Sequence, residues 1–150
     1  MNLSLRPATL EDAQRLLDWR NDIQTRLNSF NKEEVSWLDH VEWLKKSLQS
    51  SDRKIIIVEW GDLSVGTIRL DSHSDHIELS WTVAPEHRGK GYGSQMLQAA
   101  CQLIKSGKII AKIHSGNMPS IQMAKRSGFK PLDMNEEWQT WVLEKKPSLL

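Results

Sequence analysis

The segment ELSWTVAPEHRGKGYG, residues 78–93, decides the fold class of this chain. Apolar and polar residues alternate strictly over residues 77–83, which is the period of two expected of a half-buried β-strand. Ala84-Pro85 ends the strand, and three glycines then occur within five residues. An apolar-periodic stretch follows to about residue 105 and predicts a helix. The segment is therefore a strand, a glycine-rich turn and a helix.

The glycine-rich turn has the chemistry of a phosphate site. A helix N-terminus exposes unpaired backbone N–H groups and carries roughly half a positive charge. Glycines in its first turn let a phosphate approach the backbone, and Arg88 and Lys90 add full charges beside it. The spacing matches neither G-x-G-x-x-G nor G-x-x-x-x-G-K-[ST]. A di- or polyphosphate ligand is predicted, with a plain basic connection as the alternative.

Working outward from this segment, the sequence predicts the element order βααβββαβαββ. Strands are expected over residues 3–6, 54–60, 65–70, 77–83, 109–113, 129–132 and 138–143, and helices over 10–21, 37–48, 91–105 and 117–127. This order indicates an α/β (α+β) domain layered on a mixed sheet. No repeat or linker divides the chain, so residues 1–150 are expected to form a single domain.

Capping signals and apolar stripes place the first two helices. Thr9 is the expected N-cap of the first, with Asp12 in the capping-box position, and Ser36 is the expected cap of the second. Residues 26–34 are polar and irregular and predict a loop. The predicted apolar faces are Leu10, Ala13, Leu16, Leu17 and Ile23 in the first helix, and Trp37, Leu38, Val41, Leu44 and Leu48 in the second.

The composition excludes several functional classes. Twenty basic and nineteen acidic residues give a net charge of +1, which is not the footprint of a general nucleic-acid binder. No apolar run reaches the ~20 residues of a membrane span, and the N-terminus lacks a signal-peptide layout, so a cytoplasmic protein is expected. Cys101 is the single cysteine, and none of the five histidines has zinc spacing. We therefore expect neither a disulfide nor a metal site.

Two motifs give the chain a resemblance to the GNAT superfamily of acyl-CoA-dependent N-acyltransferases. The family signature, Gln/Arg-x-x-Gly-x-Gly/Ala between the fourth strand and the third helix, is matched by Arg88-x-x-Gly91-x-Gly93. Asn117-x-x-Ser120, leading to Ser127-Gly128-Phe129, is similar to the family's fourth-helix pattern. The resemblance covers nearly the whole chain. It implies a mixed, mostly antiparallel sheet of six to seven strands flanked by four helices, with a splayed parallel strand pair.

The resemblance also implies acetyl-CoA as cosubstrate, with no metal. The pantetheine arm would lie between the splayed strands and bond to backbone near Thr82 and Val83, whose N–H would polarise the thioester carbonyl. Asn117 would contact the pantetheine, and Ser120 would lie near the sulfur. The pyrophosphate would rest on the amides of the turn, contributed by Arg88, Gly89, Lys90, Gly91, Tyr92 and Gly93.

Proton transfer is less well specified by the sequence. An ammonium must lose a proton before it attacks, and Glu78 is the candidate base because it shares a strand face with Ser80 and Thr82. A solvated or salt-bridged glutamate is the alternative. Many family members place a tyrosine on the fourth helix to protonate the leaving thiolate, but Ala124 occupies that position here. The acid would be Ser120, Tyr92 or water, or the thiolate would leave unaided.

The acceptor is predicted from the first two helices and the loop between them. Trp19-Arg20-Asn21-Asp22 and the pattern Ser-Trp-x-x-His-x-x-Trp, residues 36–43, look like the GNAT branch that acetylates nucleotide-linked amino sugars. The same branch resembles acetyltransferases of ribosomal-protein N-termini. An amino-sugar nucleotide is the first choice; a peptide N-terminus or a small-molecule amine is the second. A non-catalytic acyl-CoA sensor is the alternative of another class, and the protein is expected to be a monomer or homodimer.

Overall fold

One mixed sheet organises the chain in the computed structural model, which describes residues 2–147. Its strand order is β1-β2-β3-β4-β5-β7-β6, and every neighbouring pair is antiparallel except β4 with β5. Within the described residues the strands are β1 (Leu3–Pro7), β2 (Arg53–Trp60), β3 (Leu63–Ser72), β4 (Ile77–Val83), β5 (Gly107–His114), β6 (Lys130–Met134) and β7 (Trp138–Lys145). The predicted seven-stranded, mostly antiparallel sheet is confirmed.

The helices include the four that were predicted and one short addition. They are α1 (Ala13–Asn21), α2 (Ile23–Leu27), α3 (Trp37–Gln49), α4 (Tyr92–Leu103) and α5 (Met118–Arg126), with 3-10 turns at Leu10–Asp12 and Pro85–His87. The prediction that a loop begins at residue 26 was wrong, because α2 continues to Leu27. Asp22 starts this helix: its Oδ2 accepts a hydrogen bond from the Thr25 amide at 3.1 Å.

The core lies on both faces of the sheet, as alternate residues of β2 show. Ile56 and Val58 belong to the larger cluster, which packs the sheet against α4 and α5 through residues such as Leu97. Ile55 and Ile57 face the other way and pack with Leu44 and other residues of α1 and α3. Because β2 is buried on both faces, it reads in the sequence as an unbroken apolar run.

The predicted apolar faces of the first two helices were partly wrong. Ile23 is 64% exposed and Leu38 is 79% exposed. Ile23 lies beyond the end of α1, where the extended ψ of Asp22 breaks the helical phase. The buried stripe of α3 is His40, Leu44 and Ser47, so two of its members are polar and a hydropathy pattern does not reveal them.

A buried carboxylate joins the first strand to the first helix. Asp12 accepts two hydrogen bonds from the Arg6 guanidinium, at 2.9 and 2.8 Å, and one from the Thr9 amide at 2.8 Å, which confirms the predicted capping box. Arg15 lies 3.1 Å away on the helix side. Burial alone would raise the pKa of Asp12, but these bonds and charges outweigh it and hold the pKa below its usual range.

We predict that Asp12→Asn lowers the free energy of unfolding by about 2–3 kcal/mol, because it leaves two arginines without their buried partner. The lowered pKa of Asp12 means that its stabilisation is complete above about pH 4 and is lost as the pH falls through the folded-state pKa. Urea denaturation between pH 2 and 7 measures both effects. Asp18→Asn, at an exposed position of α1, is the matched control. Equal stability of the two variants at pH 7 would contradict the prediction.

Candidate active site

The parallel strands β4 and β5 separate soon after they meet. Their pairing consists of Ile77 with Ile109 and Glu78 with Ile110, and it stops there. Beyond these pairs the strands diverge toward the N-termini of α4 and α5, which confirms the predicted splayed pair. A cavity of about 1160 Å³ occupies the opening, and its walls include the free half of β4, from Leu79 to Val83.

The open side of β4 presents backbone donors to this cavity. The Ala84 amide donates to the Val65 carbonyl of β3 at 2.8 Å. Because successive residues of a strand direct their N–H groups to opposite edges, the Val83 N–H points away from β3, toward the gap. This is the orientation required of the donor that the family resemblance implies at Val83.

The glycine turn leads directly into the same cavity. Gly89 and Gly91 have positive φ angles of 77° and 83°, and Gly91 is the N-cap of α4 with no side-chain cap. A Cβ added to either glycine would meet nothing within 4 Å. Among residues 2–147, the amides of Gly89, Lys90 and Gly91 have no backbone partner outside helices and strands and no side-chain partner. The turn therefore offers unpaired donors at a positive helix end, in open space.

Gly93 lies in close contact with α5. A Cβ there would lie 2.5 Å from Cε of Met123 and 3.4 Å from Cγ2 of Val83. The Met123 side chain would have to move to admit a larger residue. The third glycine of the motif therefore leaves room for Met123 beside the gap.

Arg88 is placed differently from the sequence-based picture of a free cation. Its Nη2 lies 2.6 Å from Oδ2 of Asp22 and 3.1 Å from Oγ1 of Thr25, so the side chain ties the turn to α2. Burial would raise the pKa of Asp22, but the hydrogen bonds from Arg88 and from the Thr25 amide lower it. Lys90, the other cation of the turn, is exposed as Arg88 is.

Glu78 lies in the cavity wall and forms an ion pair, which is the alternative interpretation of this residue, while its role as the base stays a prediction. It lines the cavity with Ser80 and Thr82, as the strand periodicity predicted. Its Oε1 also forms an ion pair with Nζ of Lys112 on β5 at 3.1 Å. This pair lies beside the last paired residues of the two strands, at the base of the gap.

The N-terminus of α5 forms the wall opposite β4. Asn117 caps this helix, since its Oδ1 accepts from the Ser120 amide at 3.4 Å, and both residues line the cavity. Ala124 is fully buried, so the usual tyrosine position has no polar group. Tyr92 lines the cavity as well, with its ring 5.6 Å from that of Trp60 between centroids.

The far end of the cavity is closed by the loop after α2. The Asn21 side chain forms two hydrogen bonds with the backbone of Val35. Its Oδ1 accepts from the Val35 N–H at 2.8 Å, and its Nδ2 donates to the Val35 carbonyl at 2.9 Å. Phe30 stacks on Trp138 of β7 with ring centroids 3.8 Å apart, and Lys32 pairs with Glu137 at 3.2 Å. The loop thereby bridges the first two helices and the last hairpin.

Sequence reasoning missed several residues of the cavity wall. Lys112 and Trp138 were not considered, because only the folded sheet brings β5 and β7 to this opening. Lys112 left a weak signal as a polar residue within an apolar strand. His40 proves to be a packing residue: its Nε2 donates to the Ala13 carbonyl at 3.0 Å, and burial lowers its pKa.

Residues 2–147 contain neither a candidate metal site nor a candidate membrane span. No group of three or more His, Cys, Asp or Glu side chains there could hold a metal ion. Within the same part of the chain, no helix has the length and apolar character needed to cross a membrane.

Comparisons with known proteins place this geometry in a family. The model of the acetyltransferase (GNAT) domain matches residues 2–130. No curated protein matches the chain. Similar solved structures include the spermidine N-acetyltransferase from Vibrio cholerae in complex with CoA and spermine, which is 17% identical with a TM-score of 0.87 over 96% of each chain. An N-acetyltransferase from Staphylococcus aureus Mu50 is 23% identical, with a TM-score of 0.78 over 97% of this chain and 100% of the other.

An acetyltransferase from Thermus thermophilus has the same fold, at 19% identity and a TM-score of 0.80 over 96% of this chain and 97% of that one. At these identities the structural likeness concerns the fold, whereas the family model covers most of the sequence. The splayed strands and the glycine turn agree with the fold of these structures and with the family model. The chain belongs to the GNAT acetyltransferase family and is an acetyl-CoA-dependent N-acetyltransferase.

Proposed function

We propose that the protein transfers acetyl from acetyl-CoA directly to the primary amine of a nucleotide-linked amino sugar. The observation that carries this proposal is the continuity of one cavity. It extends from the glycine turn, past the gap between β4 and β5, to the loop that packs on Trp138. A donor and an acceptor entering from opposite ends would meet beside Val83. The cytoplasmic location and the monomeric or homodimeric state stay predictions.

The donor end fits a coenzyme A molecule. The unpaired amides after Arg88 and the positive end of α4 suit its pyrophosphate, and Lys90 adds a charge there. The unpaired edge of β4 at Thr82 and Val83 suits the amide-bearing pantetheine arm, with Asn117 and Ser120 on the opposite wall. When bound, acetyl-CoA supplies an activated thioester. Holding both reactants in one cavity replaces a bimolecular encounter with an oriented one.

The chain's own groups then serve the transfer. The Val83 N–H donates a hydrogen bond where negative charge develops on the carbonyl oxygen. Glu78 accepts the proton that the ammonium must lose, directly or through water, and Lys112 holds its carboxylate toward the gap. Ser120 offers the leaving thiolate a hydroxyl from the α5 wall, since Ala124 has none.

The acceptor end supports a polar, ring-shaped substrate. Asn28 and Ser29 line it with hydrogen-bonding groups, and Trp43 and Trp138 offer aromatic surface for a sugar or a base. A small polyamine is the second candidate, because the exposed carboxylates of Glu33 and Asp39 also border the cavity. The similar V. cholerae structure contains spermine.

A panel of amines tests the proposed function. Purified protein with acetyl-CoA is mixed with UDP-linked amino sugars, polyamines and peptides, and release of free CoA thiol is followed with a thiol reagent. The expected result is the fastest release with an amino-sugar nucleotide. Fastest release with spermidine would favour the second candidate. Tight CoA binding without release for any amine would instead indicate an acyl-CoA sensor.

A charge change at Gly91 tests the phosphate site. Asn and Asp both tolerate the left-handed backbone of this position, and both are good N-caps, so Gly91→Asn and Gly91→Asp are expected to fold. Only the aspartate places a negative charge beside the pyrophosphate. We expect Gly91→Asp to weaken CoA binding by at least about tenfold relative to Gly91→Asn. Calorimetry measures both affinities, and equal values would remove the turn from the donor site.

A pH profile tests the proposed base. Glu78→Gln is expected to lower kcat/KM by about 100-fold at about pH 6–7, where the amine is protonated. The loss should shrink as the pH rises through the pKa of the acceptor amine, because free amine then needs no base. Glu86→Gln, at a carboxylate beside the turn, is the control. A loss that is constant across the pH range would dismiss Glu78 as the base.

A further inference from the structure

Arg20 is a cation in the cavity wall without an acidic partner. Its Nη2 donates to the Asn31 carbonyl at 2.6 Å. Its Nη1 is buried and makes no hydrogen bond within residues 2–147, and no carboxylate in that range forms an ion pair with the side chain. Buried charged nitrogens are nearly always satisfied, so an unsatisfied one in a cavity wall calls for a reason.

The other cations around the cavity are engaged. Arg88 pairs with Asp22, Lys112 with Glu78, and Arg69 with Asp71 at 3.1 Å. Arg20 differs from them because its neighbourhood is positive. Burial, and after it the charge of Arg26, lowers the pKa of Arg20, yet a guanidinium stays protonated at neutral pH. A positive charge is therefore held, partly desolvated, at the acceptor end.

The acidic residues that border the same cavity do not neutralise Arg20. Glu33, Glu34 and Asp39 are exposed, and Glu34 is directed to Arg26 at 4.0 Å. Their charges face solvent, where water and salt weaken them. The guanidinium is the group that a bound molecule would shield from water. A desolvated cation attracts an anion more strongly than a solvated carboxylate attracts a cation.

We propose that Arg20 binds an anionic oxygen group of the acceptor, a phosphate or a carboxylate. This rests on the proposed function in one respect: the cavity around Arg20 is the place where the acceptor lies. Arg20 lines the cavity, and the planar fork of its guanidinium donors suits two oxygens of one anion. The charged group of the acceptor thus lies at the end of α1, and its amine reaches toward the gap between β4 and β5.

The unsatisfied nitrogen has a cost in the free protein. Arg20→Met removes this unsatisfied charge, which favours the fold, but it also removes the Nη2 bond to the Asn31 carbonyl, which opposes that gain. Arg20→Met is therefore expected to keep a Tm close to that of the wild type, while it loses the preference for anionic acceptors. An arginine retained only for structure would give a lowered Tm and no change in acceptor preference.

The test uses three pairs of amines that differ in one anionic group: glucosamine with glucosamine 6-phosphate, ethanolamine with O-phosphoethanolamine, and glycinamide with glycine. A fourth pair, a methyl glycoside of an amino sugar with its UDP-linked form, adds a diphosphate and a uridine together. Binding to protein saturated with CoA is measured by calorimetry, and thiol release is followed separately. The phosphate and carboxylate pairs distinguish the two kinds of anion.

We expect the anionic member of at least one pair to bind about ten- to a hundredfold more tightly to the wild type. Arg20→Met should abolish that preference and leave the neutral member's affinity unchanged. Arg20→Lys should keep part of it, and Lys45→Met, at an exposed position of α3, should keep all of it.

Two results would overturn the inference: no anion preference in any pair with the wild type, or a preference that survives Arg20→Met. If Arg20→Met does not fold, the comparison is made between the wild type and Arg20→Lys. An anion preference that is as strong in Arg20→Lys as in the wild type would then overturn the inference. Anion binding that depends on Arg20 without thiol release would uphold the inference and count against the proposed function. Thiol release from neutral amines alone would count against the inference and against a nucleotide-linked acceptor, and would uphold acetyl transfer itself.

Discussion

The separation of β4 from β5 after two residue pairs is the constraint on which the site depends. A sheet that continued its ladder would use the outward N–H groups of β4 to bond β5, and no backbone donor would remain for a ligand. Because the strands part, the Val83 N–H and its neighbours become available. The helices that follow each strand then begin on either side of one opening, so their positive ends and the unpaired strand edge serve the same space.

Tight packing keeps this opening in place. Gly93 of α4 leaves room for the Met123 side chain of α5 between the two helix N-termini. The Glu78–Lys112 pair spans the base of the gap at the point where the ladder ends. On the acceptor side, Asn21 fixes Val35, and the Phe30–Trp138 stack fastens the loop to the last hairpin. These contacts position the walls of the cavity relative to one another, as transfer between two bound molecules requires.

Much of the fold, and the glycine turn of the candidate site, could be predicted from local sequence patterns. The strand and turn at residues 77–93 follow from alternation and glycine, and the Asp12 capping box follows from spacing alone. What could not be predicted depends on contacts between distant residues. Arg88 and Asp22 lie 66 residues apart in the sequence, and Phe30 contacts Trp138, which lies 108 residues further along. Helix α2 escaped prediction because it is polar and short, and the buried face of α3 because two of its residues are polar.

The hydrogen bond between Arg88 and Asp22 links the two ends of the cavity mechanically. One partner belongs to the turn before α4, the other to the start of α2, so a displacement of either segment is carried to the other. The loss of this hydrogen bond through a substitution at one position can be compensated by a matching change at the other. The residues at positions 22 and 88 are therefore expected to covary among related sequences.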